Sequence, residues 1–197
     1  MGEIKLQTQK TIFMRNITLL GPPGCGKGTQ AEMLAKAFGL YHLSTGNIFR
    51  DISERNDEFA LRIRAVLSRG NFAPDQVTIE LVQEALIKNP CDAGYIFDGF
   101  PRNISQYKGF KAMFSQADMK YIYFSVSEEE LIERLLTRAK LQGRSDDALP
   151  VIRHRLSVYD EQTKPIIDHL DKEGRLITVV GTGKTIPEVW AEVKNLL

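Results

Sequence analysis

Short apolar, β-rich runs recur along the chain at positions 17–20, 95–97, 121–126 and 176–180, with 41–43 a weaker one. Each is continuous rather than alternating, the pattern of strands covered on both faces. Between them lie stretches with helical spacing: 27–38, 78–88, 128–140, a long one near 149–172, and 185–197, where Pro187 fits a first turn. Strands and helices in alternation predict an α/β domain: a doubly wound, five-stranded parallel sheet with helices on both faces. Such folds bind ligands beyond the carboxyl ends of the strands, so the chemistry is expected just after each strand. Two segments interrupt the alternation. Positions 44–73 hold two helical stretches with no strong strand between them, and 139–148 is a short polar loop containing Gly143. Both read as insertions around a fixed core. Residues 1–15 read as a flexible leader, and 16–197 as one domain without linker or repeat.

Composition narrows the classes. The 197 residues are 43% hydrophobic, enough for a sizeable core, and 26 Lys and Arg against 25 Asp and Glu leave a net charge of +1. That balance argues against a basic coat for long nucleic acid or an anionic membrane. No stretch has the apolar length of a membrane span. The first residues lack the apolar core of a signal peptide, and Leu6 breaks a myristoylation pattern begun at Gly2. Cys25 and Cys91 stand far apart, so neither a disulfide framework nor a cysteine-based zinc site is expected, and a cytoplasmic setting is the default.

Directly after the first strand comes Gly21-Pro22-Pro23-Gly24-Cys25-Gly26-Lys27-Gly28-Thr29. G-x-x-x-x-G-K between a strand and a helix is a phosphate loop. Its glycines let backbone amides wrap a phosphate, the helix amino end adds partial positive charge, and Lys27 brings a full one. Cys25 reads as a small residue tolerated in the loop. The usual motif places Ser or Thr directly after Lys; here Gly28 intervenes and Thr29 follows.

Four stretches then occur in order: GPPGCGKGTQ at 21–30, LSTGNIFR at 43–50, FDGFPRNISQ at 97–106 and GRSDD at 143–147. With these the sequence resembles the nucleoside monophosphate kinase family, adenylate kinases in particular, in their short-lid form. The resemblance implies a P-loop kinase domain with an NMP-binding insertion at about 44–73 and a lid at about 138–148. It implies reversible, Mg-dependent phosphoryl transfer from ATP to AMP giving two ADP, by a monomer. The same resemblance puts ATP against Gly24, Cys25, Gly26, Lys27, Gly28 and Thr29, with Arg134 on the adenine, Arg138 on phosphates, and Gly181 and Gly183 beside the base. It puts AMP against Thr45, Arg50, Asn71, Phe72, Gly99, Arg102 and Gln106, with Arg144 and Arg155 reaching the phosphates. Lys27, Arg102, Arg138, Arg144 and Arg155 form the implied catalytic set, and Thr29 and Asp98 the implied magnesium site, held through waters.

The residues fit these roles on their own chemistry to different degrees. By helical spacing Arg50 reads equally as a solvated charge four residues before Glu54, and either Ser44 or Thr45 caps its helix. A carboxylate at a buried strand end is costly without a cation or donors, which suits Asp98 to a metal; a turn Asp before Gly99 is the plainer alternative. A planar guanidinium matches phosphate oxygens bidentately, which suits Arg102. Gln106 offers one donor and one acceptor to an adenine edge. Arg134 and Arg138, like charges four apart, make sense facing an anion. From 134 to 155 six basic residues oppose Asp146 and Asp147, a surplus of four, while the other 175 residues carry −3. Asp146 and Asp147 are read as a latch or hinge for the lid. With no Cys in the lid, no structural zinc is expected.

By the family resemblance Thr45 and Gln106 both favour AMP; a UMP/CMP kinase is the alternative within the family and a weakly active nucleotide-binding regulator the alternative outside it. His42, His154 and His169 show no catalytic partner in sequence, and Trp190 with Val189, Val193 and Leu197 reads as a core-facing helix side. Gly181-Thr182-Gly183 has one glycine more than the common family pattern. Asn47 stands where family members usually have an Asp that helps hold the water shell of magnesium. The variant Asn47→Asp is therefore expected to match or exceed the parent rate at limiting magnesium in a steady-state assay; a clear loss would assign Asn47 another role.

Overall fold

The computed structural model describes residues 15–114, 119–142 and 147–197. The apolar runs become strands β1 (Asn16–Leu20), β2 (Tyr41–Ser44), β3 (Tyr95–Asp98), β4 (Met119–Ser125) and β5 (Leu176–Val180). They form one parallel sheet in the order β2-β3-β1-β4-β5. All five residues of β1 are buried, as its central place and continuous apolar sequence demand. Alternate strand residues feed two cores. Ile17, Leu19, Ile122 and Phe124 face one, with Leu34 and Leu135 from the helices; Leu20, Phe97 and Tyr121 face the other, with Phe110 and Ile166.

The helices are α1 (Lys27–Phe38), α2 (Thr45–Ser53), α3 (Glu58–Leu67), α4 (Asp75–Lys88), α5 (Ile104–Met113), α6 (Glu128–Gln142), α7 (Leu149–Gln162), α8 (Lys164–Lys172) and α9 (Ile186–Lys194). The interruption at 44–73 is α2 and α3, which gather a third, small core of Phe49, Ile52, Ala60, Ile63 and Ala73. Ser44, rather than Thr45, caps α2: its Oγ accepts from the Asn47 amide. Asp57 caps α3 in the same way through the Ala60 amide. No helix among the described residues is long and apolar enough to cross a membrane.

One expectation fails. The long helix near 149–172 is two helices, α7 and α8, divided at Thr163. Pro165 sits in the first turn of α8. It has no N–H to donate to Glu161, and its ring would collide with that carbonyl, so the ladder stops. The amphipathic spacing continues across the break, which hides it in the sequence.

The phosphate loop rests on α6. At Gly24 an added Cβ would lie 2.9 Å from Leu135 Cγ and 3.1 Å from the Leu131 carbonyl oxygen, so only glycine allows the loop this approach. Leu135 is fully buried, and Leu135→Ala would open a cavity directly beneath the loop. Urea denaturation should show a loss of about 2–5 kcal/mol.

Candidate functional site

A cleft of about 1180 Å³ lies beyond the carboxyl ends of the strands, where this topology predicts a ligand. The phosphate loop forms one wall. Lys27 Nζ donates to the carbonyls of Gly21 at 2.6 Å and Pro22 at 2.9 Å, and lies 3.4 Å from the buried Cys25 Sγ. Gly26, Gly28 and Thr29 complete this wall at the start of α1. The Asp98 carboxylate stands close by: a Cβ on Gly28 would be 3.6 Å from Asp98 Oδ2.

Asp98 ends β3, and His42 on the neighbouring β2 places Nε2 3.3 Å from Asp98 Oδ2. Burial would raise the carboxyl pKa. The His42 hydrogen bond and the charges of Lys27 and Arg102 outweigh it and hold Asp98 below its ordinary value. Asp98 is therefore a carboxylate at neutral pH. Arg102 follows in the turn after β3. Its Nε donates to the Gly99 carbonyl at 2.7 Å, its own carbonyl accepts from Thr163 Oγ1 at 2.7 Å, and its guanidinium lies 4.9 Å from the centre of the Phe72 ring. Burial lowers its pKa to about 10, with Arg155 and Arg50 adding to the effect and Asp98 opposing it. The guanidinium stays charged at pH 7, but its charge is poorly compensated.

The buried hydroxyl of Thr45 donates to the Gly99 carbonyl at 2.8 Å. Gln106 is also buried. Its Oε1 accepts from the Arg102 amide and its Nε2 donates to Asp75 Oδ1, both at 2.8 Å. One N–H and one acceptor lone pair of the side-chain amide remain. Arg50 donates to Asn47 Oδ1, so the neutral amide partners this cation. Asn71 and Phe72, between α3 and α4, also line the cleft.

On the far wall Arg134 and Arg138, one turn apart on α6, avoid mutual repulsion by taking different anions. Arg134 pairs with Glu130 and donates to the Gly181 carbonyl at 3.1 Å, and the Gly183 amide donates to Glu130 Oε2 at 2.9 Å. Arg138 grips Asp147 with two bonds of 2.6 and 2.8 Å, and Arg155 adds a third at 2.6 Å. The Asp147 side chain is completely shielded from solvent. Arg144 and Asp146 lie outside the described residues. Gly181 and Gly183 brace this wall, while Lys184, Thr185 and Ile186 are the neighbouring residues that line the cleft.

The adenylate kinase family model matches residues 19–175. The chain belongs to the adenylate kinase family. It is 39% identical to an adenylate kinase of Parabacteroides distasonis, an alignment covering 92% of this chain and 97% of that one. It is 40% identical to one of Thermus thermophilus, covering 92% and 96%, and 41% identical to one of Synechococcus sp., covering 92% and 97%.

Within this adenylate kinase family site, sequence reasoning missed several residues. His42 had no visible partner because its contact with Asp98 depends on β2 lying beside β3, which no local pattern encodes. Glu130, Tyr159, Thr163 and Lys184 also line the cleft. Of these, Glu130 had a readable signal: an acid one turn before Arg134 on a helical stretch. Among the described residues no group of three or more His, Cys, Asp and Glu is arranged for a metal ion. A divalent cation here would rely on Asp98 and on phosphate oxygens, the usual arrangement for magnesium with nucleotides. The ionised, partly shielded Asp98, in the same cleft as the exposed Thr29, fits that demand.

Asp147 binds two arginines through one buried carboxylate. In Asp147→Asn the fold is kept but the charge is lost, so Arg138 and Arg155 face each other less well compensated. The unfolding free energy should fall by about 1.5–3 kcal/mol, and kcat with saturating ATP and AMP should drop as well. Chemical denaturation and a coupled rate assay check the two effects.

Proposed function

We propose that the chain is an adenylate kinase that transfers the terminal phosphoryl group of ATP to AMP, reversibly, yielding two ADP. The observation that carries this reading is the convergence in one cleft of a phosphate loop with Lys27 and a second, separate set of guanidiniums at Arg102, Arg155 and Arg50. A cleft with two cationic ends suits two nucleotides whose phosphates meet in the middle. The ATP phosphates lie on the loop amides and Lys27, which leaves its carbonyl partners to meet them. The AMP phosphate is clamped by Arg102 and Arg50. Thr45 and the remaining amide groups of Gln106 address its adenine. Arg134 packs on the donor base, and Arg138 and Arg155, joined by Arg144 of the lid, surround the phosphoryl group in flight. Asp98 and Thr29 would hold a magnesium ion, which would supply positive charge to neutralise the phosphates. Phosphoryl transfer asks little covalent chemistry of a protein; it needs in-line alignment, neutralised oxygens and exclusion of water. The acceptor insertion spans about 44–73 and the lid about 138–148, and the enzyme works as a monomer.

A coupled assay with MgATP against AMP, dAMP, CMP, UMP and GMP tests the reading. AMP should be the preferred acceptor. Preference for CMP or UMP would replace it with a pyrimidine nucleotide kinase, and tight ATP binding without ADP formation would make the chain a regulator. Arg102→Ala should lower kcat by about a hundredfold or more while ATP affinity stays close to that of the parent; an unaltered rate would remove Arg102 from the mechanism.

A further inference from the structure

The turn between α3 and α4 carries three consecutive residues that touch both sides of the cleft. Gly70 has φ +82, and an added Cβ would lie 2.9 Å from Arg155 Cγ and 3.2 Å from His154 Cδ2. Asn71 Oδ1 lies 2.8 Å from His154 Nε2. Phe72 turns the other way and sets its ring 4.9 Å from the Arg102 guanidinium carbon. Gly70 and Asn71 thus dock the turn on α7, and Phe72 extends from that anchored backbone to the acceptor arginine.

Arg102 needs such a neighbour. Its Nε is satisfied by the Gly99 carbonyl, but among the described residues no carboxylate is hydrogen-bonded to its guanidinium. Asp98 attracts it without a hydrogen bond, while two further guanidiniums, Arg155 and Arg50, repel it. The face of a phenyl ring carries a negative quadrupole that attracts a cation without neutralising it. A carboxylate in the same place would compete with the acceptor phosphate; a ring does not.

We propose that Phe72 is a positioning residue for Arg102, holding the guanidinium plane by its ring face in the orientation that receives the acceptor phosphate. The proposal rests on the reading of Arg102 as the acceptor clamp. An aliphatic side chain at position 72 would fill space but supply no quadrupole, so the aromatic character of this residue is what matters.

Calorimetric titration of AMP and of ATP, with ADP formation measured alongside, tests it on the full chain. Phe72→Leu should weaken AMP binding and lower kcat/KM for AMP by about three- to tenfold, the size of a ring–guanidinium contact, with ATP affinity unchanged. Phe72→Tyr and Phe72→Trp should stay within about twofold of the parent, since both keep a π face. In an Arg102→Ala background Phe72→Leu should cost AMP binding nothing further. A series of fluorinated phenylalanines at position 72 keeps the ring's shape while draining its face, and AMP affinity should fall stepwise. The series also serves if Phe72→Leu folds poorly. The proposal is overturned by a flat fluorination series, by Tyr and Trp variants as impaired as Leu, or by a Phe72→Leu loss that persists without Arg102. A parent protein that forms no ADP from ATP and AMP would instead defeat the functional reading.

Discussion

Guanidinium groups crowded into one cleft repel one another, and much of the surrounding structure answers that repulsion. Each cation has a short-range partner drawn from its own neighbourhood. Arg134 has Glu130 and the Gly181 carbonyl; Arg138 and Arg155 share Asp147; Arg50 has Asn47; Arg102 has the Gly99 carbonyl and the Phe72 ring; Lys27 has the carbonyls of its own loop. Few of these partners carry a full negative charge. Carbonyl dipoles and a ring face orient a cation yet leave most of its charge available. In the proposed reading, incoming phosphates meet groups already aimed, which keeps small the reorganisation that would otherwise oppose binding.

The fully committed carboxylate is Asp147, which two arginines bind. Its complete burial makes it a strong tether, because a buried carboxylate without its cations would be very costly. Asp98 plays the opposite part. It is shielded but not sealed, and its nearest partner is a histidine rather than an arginine. A carboxylate so arranged keeps coordinating capacity for a cation that arrives with the substrate. The two acids show how burial and partner choice divide similar side chains between fastening and binding.

Much of this was legible in the sequence wherever chemistry depends on neighbours along the chain. The loop from Gly21 to Thr29, the turn after Asp98 and the arginines of α6 follow from spacing within a few residues. The parallel sheet follows from continuous apolar runs. What escaped depends on contacts between distant segments. His42 meets Asp98 only because β2 pairs with β3. Gln106 is fastened to Asp75, thirty-one positions earlier, before any base can use it. The division of the long helix was marked by Pro165, but unbroken amphipathic spacing spoke louder than a single residue. The resemblance alone put Phe72 near the acceptor, and its contact with Arg102 is visible only in the fold.

That division has a mechanical consequence. α7 carries Arg155 on its cleft side, and Thr163, at the break that ends it, holds the Arg102 carbonyl. The helix is thus tied from its middle to Asp147 and from its C-terminal end to the turn after β3. Under the proposed assignment of Arg155 and Arg102 to the nucleotide phosphates, a tilt produced at either tie would be transmitted to the other. The two nucleotide affinities would then be linked reciprocally: whatever factor one imposed on the other, it would receive back in equal measure.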